Sequence, residues 1–268
     1  MFKYILSDFK RGIRSGWAKI YFFATLALVL IANIAVISFR FIYGSNEGTF
    51  SYNVFEYASW CFLIPYYSCI LFGAMVFGSE YIRPQKHGIK LGVPKNDGTD
   101  DIVMLKPWQL YISKLIAAIL LAVVFLVNAF VLLYAITALF HYNEGFILRA
   151  VVVTFLQKAA LAIPLWFAGI SFAIMFLFLF ERKWKAVLGF VILTVIIPQT
   201  IRIFSLDTFK FEFFRSIRTF TITQSFGLIP YPSYPDRSVP LIIVIGLIYG
   251  IIAMVIGICS YNAKASKQ

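Results

Sequence analysis

Six stretches of this chain are apolar almost throughout, without the alternation of polar and apolar positions that marks a half-exposed element. They lie at about 20–42, 58–79, 112–140, 150–180, 186–204 and 239–261, each near or above the roughly 20 residues that carry a helix across a bilayer. Tyr21 to Phe39 holds a single amide, Asn33, and Leu115 to Phe140 is longer still. The fourth stretch exceeds what a bilayer needs, so its first turns, through Lys158, are expected at an interface. The first is too long for a signal-peptide core and is expected to stay as a span. The pattern predicts an all-α polytopic membrane protein, a single transmembrane domain over 1–268 with six helices.

Two further segments have helical periodicity without being apolar all round. In the N-terminal 1–19, Phe2, Ile5, Phe9, Ile13 and Trp17 recur at helical spacing with Lys10, Arg11 and Arg14 between them, which predicts an amphipathic helix on a membrane face. In 204–238, Leu206, Phe209, Phe213, Ile217 and Phe220 share one helical face, while Arg215, Arg218 and Thr219 lie away from its centre. That predicts an interfacial or re-entrant helix capping the bundle before the last span, with Pro230, Pro232, Pro235 and Pro240 ending it.

Composition agrees, with 61% hydrophobic and 13% charged residues against roughly 25% charged in soluble domains. A net charge of +12 would suggest nucleic acid in a soluble protein. Here the basic residues flank the spans, as topology control requires, and no nucleic-acid partner is expected. The N-terminal tail (Lys3, Lys10, Arg11, Arg14, Lys19), the second loop (Arg83, Lys86, Lys90, Lys95, Lys106, Lys114), the fourth loop (Arg182, Lys183, Lys185) and the C-terminal tail (Lys264, Lys267) fall on one side if the spans alternate. Both termini are therefore expected in the cytoplasm. The loop at 204–238 is the exception, carrying Lys210, Arg215, Arg218 and Arg237 on the opposite side.

Soluble-enzyme motifs are absent: the sequence has no phosphate-binding Gly-x-x-x-x-Gly-Lys-Ser/Thr loop, no His-Glu-x-x-His and no Gly-x-Ser-x-Gly. His87 and His141 fall on opposite sides of the predicted membrane, and Cys61, Cys69 and Cys259 lie in apolar segments, so no metal site or disulfide framework is expected. No Asp or Glu sits in mid-span, which disfavours ion-coupled transport. The polar span residues Asn33, Asn128 and Gln199 are candidates for a cargo pathway, with interhelical hydrogen bonding as the alternative for Asn128. Gly246, Gly250 and Gly257 in the last span permit close helix packing, within the chain or between chains.

The second loop, 80–114, runs Phe77-Gly78-Ser79-Glu80-Tyr81, a basic insert containing Arg83, then Gly98-Thr99, Leu105-Lys106-Pro107-Trp108 and Ser113-Lys114. Here the chain resembles the type 2 permeases of ATP-binding-cassette exporters. Their pattern of a Glu closing the second span, Gly-Thr, a Leu-rich stretch, a Pro nine residues after that Gly and a Lys opening the third span is matched by Glu80, Gly98, Thr99, Leu105, Pro107 and Lys114. The 18-residue interval from Glu80 to Gly98 is longer than the family's, and Gly88 is an alternative equivalent. The resemblance implies a multi-pass permease of the bacterial cytoplasmic membrane, itself not an enzyme. Two copies of a separate ATPase would hold ATP and Mg, and a second permease chain would complete the pathway, a homodimer being favoured over a heterodimer. Glu80, Tyr81, Arg83, Gly98, Thr99, Lys106, Pro107, Trp108 and Lys114 would form the coupling segment. An amphipathic cargo, a peptide toxin or antimicrobial peptide, is expected, with drugs or lipid-linked polysaccharide as alternatives. A membrane enzyme acting on lipid and an immunity protein are the competing classes.

Overall fold

A computed structural model describes residues 1–43, 54–55, 68–77, 106–140, 145–180, 183–205, 212–222, 225 and 238–266. These are almost entirely helical, and no strand occurs among them. The helices are α1 (Phe2–Arg14), α2 (Gly16–Tyr43), α3 (Cys69–Phe77), α4 (Pro107–Phe140), α5 (Gly145–Leu179), α6 (Lys183–Val191), a π-helical segment at Ile192–Ile196, α7 (Ile197–Phe204), α8 (Glu212–Thr219) and α9 (Ser238–Ser266). Among the described residues, five stretches are long and apolar enough to cross a membrane: Gly16–Ser38, Trp108–Phe140, Val151–Leu179, Lys183–Phe204 and Val239–Ala263. The chain is thus a multi-pass helical membrane protein. Of the predicted second span, only the part forming α3 lies within the described residues.

The core is built on α5 and α9, the most extensively packed pair. Small residues set their separation. An ideal Cβ on Gly246 would come within 2.5 Å of the Pro164 carbonyl carbon, and one on Gly250 would collide with the Phe167 ring. Gly257 performs the same service for Tyr111 of α4. The glycine seam therefore packs helices within one chain. Such close approach matters because lipid supplies no hydrophobic drive for helix association, leaving van der Waals contact and polar bonds to do it.

Three sequence expectations are revised. First, the N-terminal helix does not run on to Trp17. Ser15 adopts an extended backbone (φ −64°, ψ 150°), its Oγ donates to the Gly12 carbonyl at 2.7 Å, and it accepts the Ala18 N–H at 3.2 Å. One serine ends α1 and caps α2. The apolar face is also divided: Ile5, Asp8 and Gly12 turn into the bundle, whereas Phe2, Leu6 and Ile13 remain exposed.

Second, the fifth span is not a uniform α-helix. Pro198 has no N–H for the Thr194 carbonyl, and its ring would crowd that carbonyl in an α-helix. Just before it the helix widens, and the Ile197 N–H bonds Ile192 O, five residues back. Third, Pro240 does not end a helix but sits in the first turn of α9, where a missing N–H costs no intrahelical bond.

Candidate functional site

The first candidate site is a buried polar latch at one end of the bundle. Lys114, near the start of α4, is fully buried, and its Nζ donates to Asp8 Oδ1 of α1 at 2.8 Å. The same ammonium lies 3.4 Å from the Val76 carbonyl of α3 and 5.6 Å from the centroid of the Phe77 ring. Arg11, one turn beyond Asp8, adds a second cation, its guanidinium 3.7 Å from Oδ1. Burial pushes the Tyr4 phenol above its ordinary pKa, and the Asp8 carboxylate raises it further. A charge removed from water needs such a partner, because an unpaired one costs several kcal/mol.

Around the latch the helix ends interlock through rings. Phe178 of α5 packs on Phe77 at 5.0 Å, on Tyr111 at 5.0 Å and on Tyr261 of α9 at 4.6 Å. The N-terminal helix, the end of α3, the start of α4 and the C-terminal parts of α5 and α9 thus meet at one end of the molecule.

Of the coupling set expected from sequence, Glu80, Tyr81, Arg83, Gly98 and Thr99 lie outside the described residues. Lys106 and Trp108 are exposed at the beginning of α4, and the Lys106 N–H is capped by Gln109 Oε1 at 3.1 Å. Pro107 opens α4, where proline is favoured. Lys114, about two turns into α4 from Pro107, faces inward to Asp8 and away from the surface. The signal for Asp8 in the sequence is a lone acid on a basic amphipathic helix, but its partner lies 106 residues away.

The second candidate site is a cavity of about 240 Å³ walled by Phe172, Leu193, Thr194, Ile197, Pro198, Ile201, Ile217, Phe220, Thr221, Ile222 and Tyr249. The widened turn before Pro198 forms one wall, and the segment following α8 forms another. Tyr249 is 11 residues into α9, about 16 Å from its start at 1.5 Å per residue. The segment around Ile217 to Ile222 therefore reaches well down the bundle.

Two of the expected cap residues, Ile217 and Phe220, line this cavity, whereas Phe213 is 69% exposed. Phe209 lies outside the described residues. Arg218 holds the cap to the end of α7 through Ser205 Oγ, at 3.3 Å, and Phe214 packs on Phe204 at 5.3 Å.

The expected pathway residues are not gathered at the cavity, whose walls contain none of them. Asn33 is fully buried in α2, where its Nδ2 donates to Val29 O at 2.9 Å while Oδ1 has no hydrogen-bond partner. Asn128 and Gln199 are half-buried on α4 and α7. No group of three or more His, Cys, Asp or Glu able to hold a metal occurs among the described residues.

These features define a multi-pass helical membrane protein with an N-terminal amphipathic helix locked to its bundle and a short helix folded over one apolar cavity. No protein-family model, curated protein or solved structure matches the chain.

Proposed function

We propose that the chain is the membrane permease subunit of an ATP-driven exporter of the type 2 kind, moving an amphipathic cargo, a peptide toxin or antimicrobial peptide, out of a bacterial cell. The observation that carries this reading is the latch. The 78–105 segment leaves α3 at Phe77 and rejoins the described chain at Lys106, and both of its ends are tied to α1 through Lys114, Val76 and Asp8. A push on that segment by a soluble ATPase would be delivered to three helices at once. The chain has no phosphate-binding loop of its own, so the ATP-hydrolysing subunits, two copies with ATP and Mg, are separate chains, and a second permease chain completes the pathway.

The six-pass arrangement with both termini in the cytoplasm belongs to the same reading. Its support is the gathering of α1, the end of α3, the start of α4 and the ends of α5 and α9 at one end of the bundle. A chain that starts and finishes at the same end crosses an even number of times. The cytoplasmic side is assigned from the basic flanks.

Co-purification of the full chain with a candidate ATPase tests the reading. Glu80→Ala with Trp108→Ala is expected to weaken complex formation and cargo-stimulated ATP turnover while the permease still folds. An intact complex with unchanged stimulation would remove the coupling role from 80–114.

A further inference from the structure

The cavity beneath α8 has walls suited to one kind of occupant. Its threonines are already satisfied: Thr194 Oγ1 donates to Phe190 O at 2.7 Å, and Thr221 Oγ1 donates to Arg218 O at 2.8 Å. The rest of the lining is aliphatic or aromatic apart from Tyr249, whose ring packs on Phe172 at 6.2 Å. The volume of about 240 Å³ exceeds the roughly 150 Å³ at which an apolar cavity stays dry and admits a benzene-sized guest. Two of its lining residues, Phe220 and Ile197, are also exposed, on the kind of surface a membrane span presents to lipid.

Charge then limits the choice of lipid. Two cavity-lining residues are each followed in sequence by an arginine: Ile201 by Arg202 and Ile217 by Arg218. Arg202 is exposed, and Arg218 is half-buried and positioned by Ser205 at 3.3 Å. We infer that the cavity is a binding site for one acyl chain of an anionic membrane lipid, whose phosphate is held by Arg202 and Arg218. The chain alone gives little selectivity, since the bilayer it leaves is as apolar as the cavity. Discrimination comes from net headgroup charge: the phosphate of a zwitterionic lipid is offset by its own choline, whereas that of an anionic lipid leaves its full charge to the charge-assisted bonds of the two guanidiniums. The site does not depend on ATPase coupling, and it assigns a purpose to Arg218, one of the four basic residues that depart from the charge rule in 204–238.

The test uses the full chain in phosphatidylcholine vesicles carrying a phosphatidylglycerol probe with a photoreactive group on one acyl chain. Crosslinks are expected to concentrate in peptides covering 193–201 and 217–222. Unlabelled phosphatidylglycerol should displace the probe. Arg202→Gln and Arg218→Gln should each lower capture about tenfold, the change expected for one lost charge-assisted bond, and Ile201→Phe should lower it by filling the cavity.

If the variants fold poorly, the wild-type comparison decides alone. A phosphatidylcholine probe of the same chain length should be captured about tenfold less well. Equal capture of both headgroups would overturn the proposal. So would labelling spread over the exposed α9 face at Leu247 and Ile251, or displacement by an apolar peptide but not by phosphatidylglycerol.

Discussion

Removing Asp8 should damage the protein more than removing its partner, and the geometry says why. In Asp8→Ala the Lys114 ammonium stays fully buried, keeping the Val76 carbonyl at 3.4 Å and the Phe77 ring at 5.6 Å but losing its 2.8 Å carboxylate. Taking one partner from a buried pair costs about 3–5 kcal/mol, because the other charge is left uncompensated. In Lys114→Met the stranded group is Asp8, which retains Arg11 at 3.7 Å, a side chain with access to solvent. That loss should fall at or below the lower end of the range. The double variant Asp8→Leu with Lys114→Met removes both charges and should recover most of the stability, since apolar replacement of a buried pair is often neutral. Denaturation of the purified protein in mixed micelles, read as a double-mutant cycle, gives the coupling. Thiol reactivity at Ile5→Cys in a cysteine-free background reports whether α1 has left the bundle. A cost below about 1 kcal/mol for Asp8→Ala, the value of an exposed pair, with no change at position 5, would refute the latch.

Other outcomes follow from the packing. Gly246→Ala should cost more stability than Gly12→Ala, because the new methyl meets the Pro164 backbone in one case and the movable end of Leu121 in the other; overpacking of this kind costs about 1–3 kcal/mol, and thermal unfolding in detergent measures it. Pro198→Ala restores an N–H that can reach Thr194 O, so the protein should be at least as stable while capture of the acyl probe falls. Single cysteines replacing Lys10 and Ala263 should react with an impermeant reagent only after permeabilisation, and one replacing the exposed Phe213 should react from outside. Labelling of positions 10 and 263 from opposite faces would break the even pass count.

The spans were legible because a membrane helix announces itself through uninterrupted apolarity, a one-dimensional signal. The described helices begin or end within a few residues of the expected spans; α4, for example, starts at Pro107 instead of 112. The amphipathic character of α1 was equally legible, but not the sector that would turn inward. Asp8 and Gly12 are buried because Lys114 and Leu121 of α4 receive them, and nothing within the first 19 residues encodes that. The π segment was invisible for a different reason: Pro198 signals a disturbance in its helix, yet its neighbours decide whether the answer is a kink, a break or a widened turn. Ile217 and Phe220 both line the cavity, whereas Phe213, expected on the same face, is exposed; the cavity also needs α5, the π segment and α9.

In a chain that is 61% hydrophobic, apolar residues supply the solubility of the spans in lipid but cannot specify their arrangement, because one lipid-like surface packs about as well as another. Specification falls to the minority. Asp8 and Lys114 fix where α1 and α4 meet, Gly246 and Gly250 set the distance between α5 and α9, and Pro198 widens the helix that walls the cavity. The same two helices serve both sites, since α5 carries Phe178 at the latch and Phe172 at the cavity, while α9 carries Tyr261 and Tyr249. In contrast, α2 and the α6–α7 span leave most of their surface uncovered. A rearrangement that spared the glycine seam would therefore move these outer helices against a fixed α5–α9 pair, and the Asp8–Lys114 bond ties α1, the helix that leads into α2, to α4.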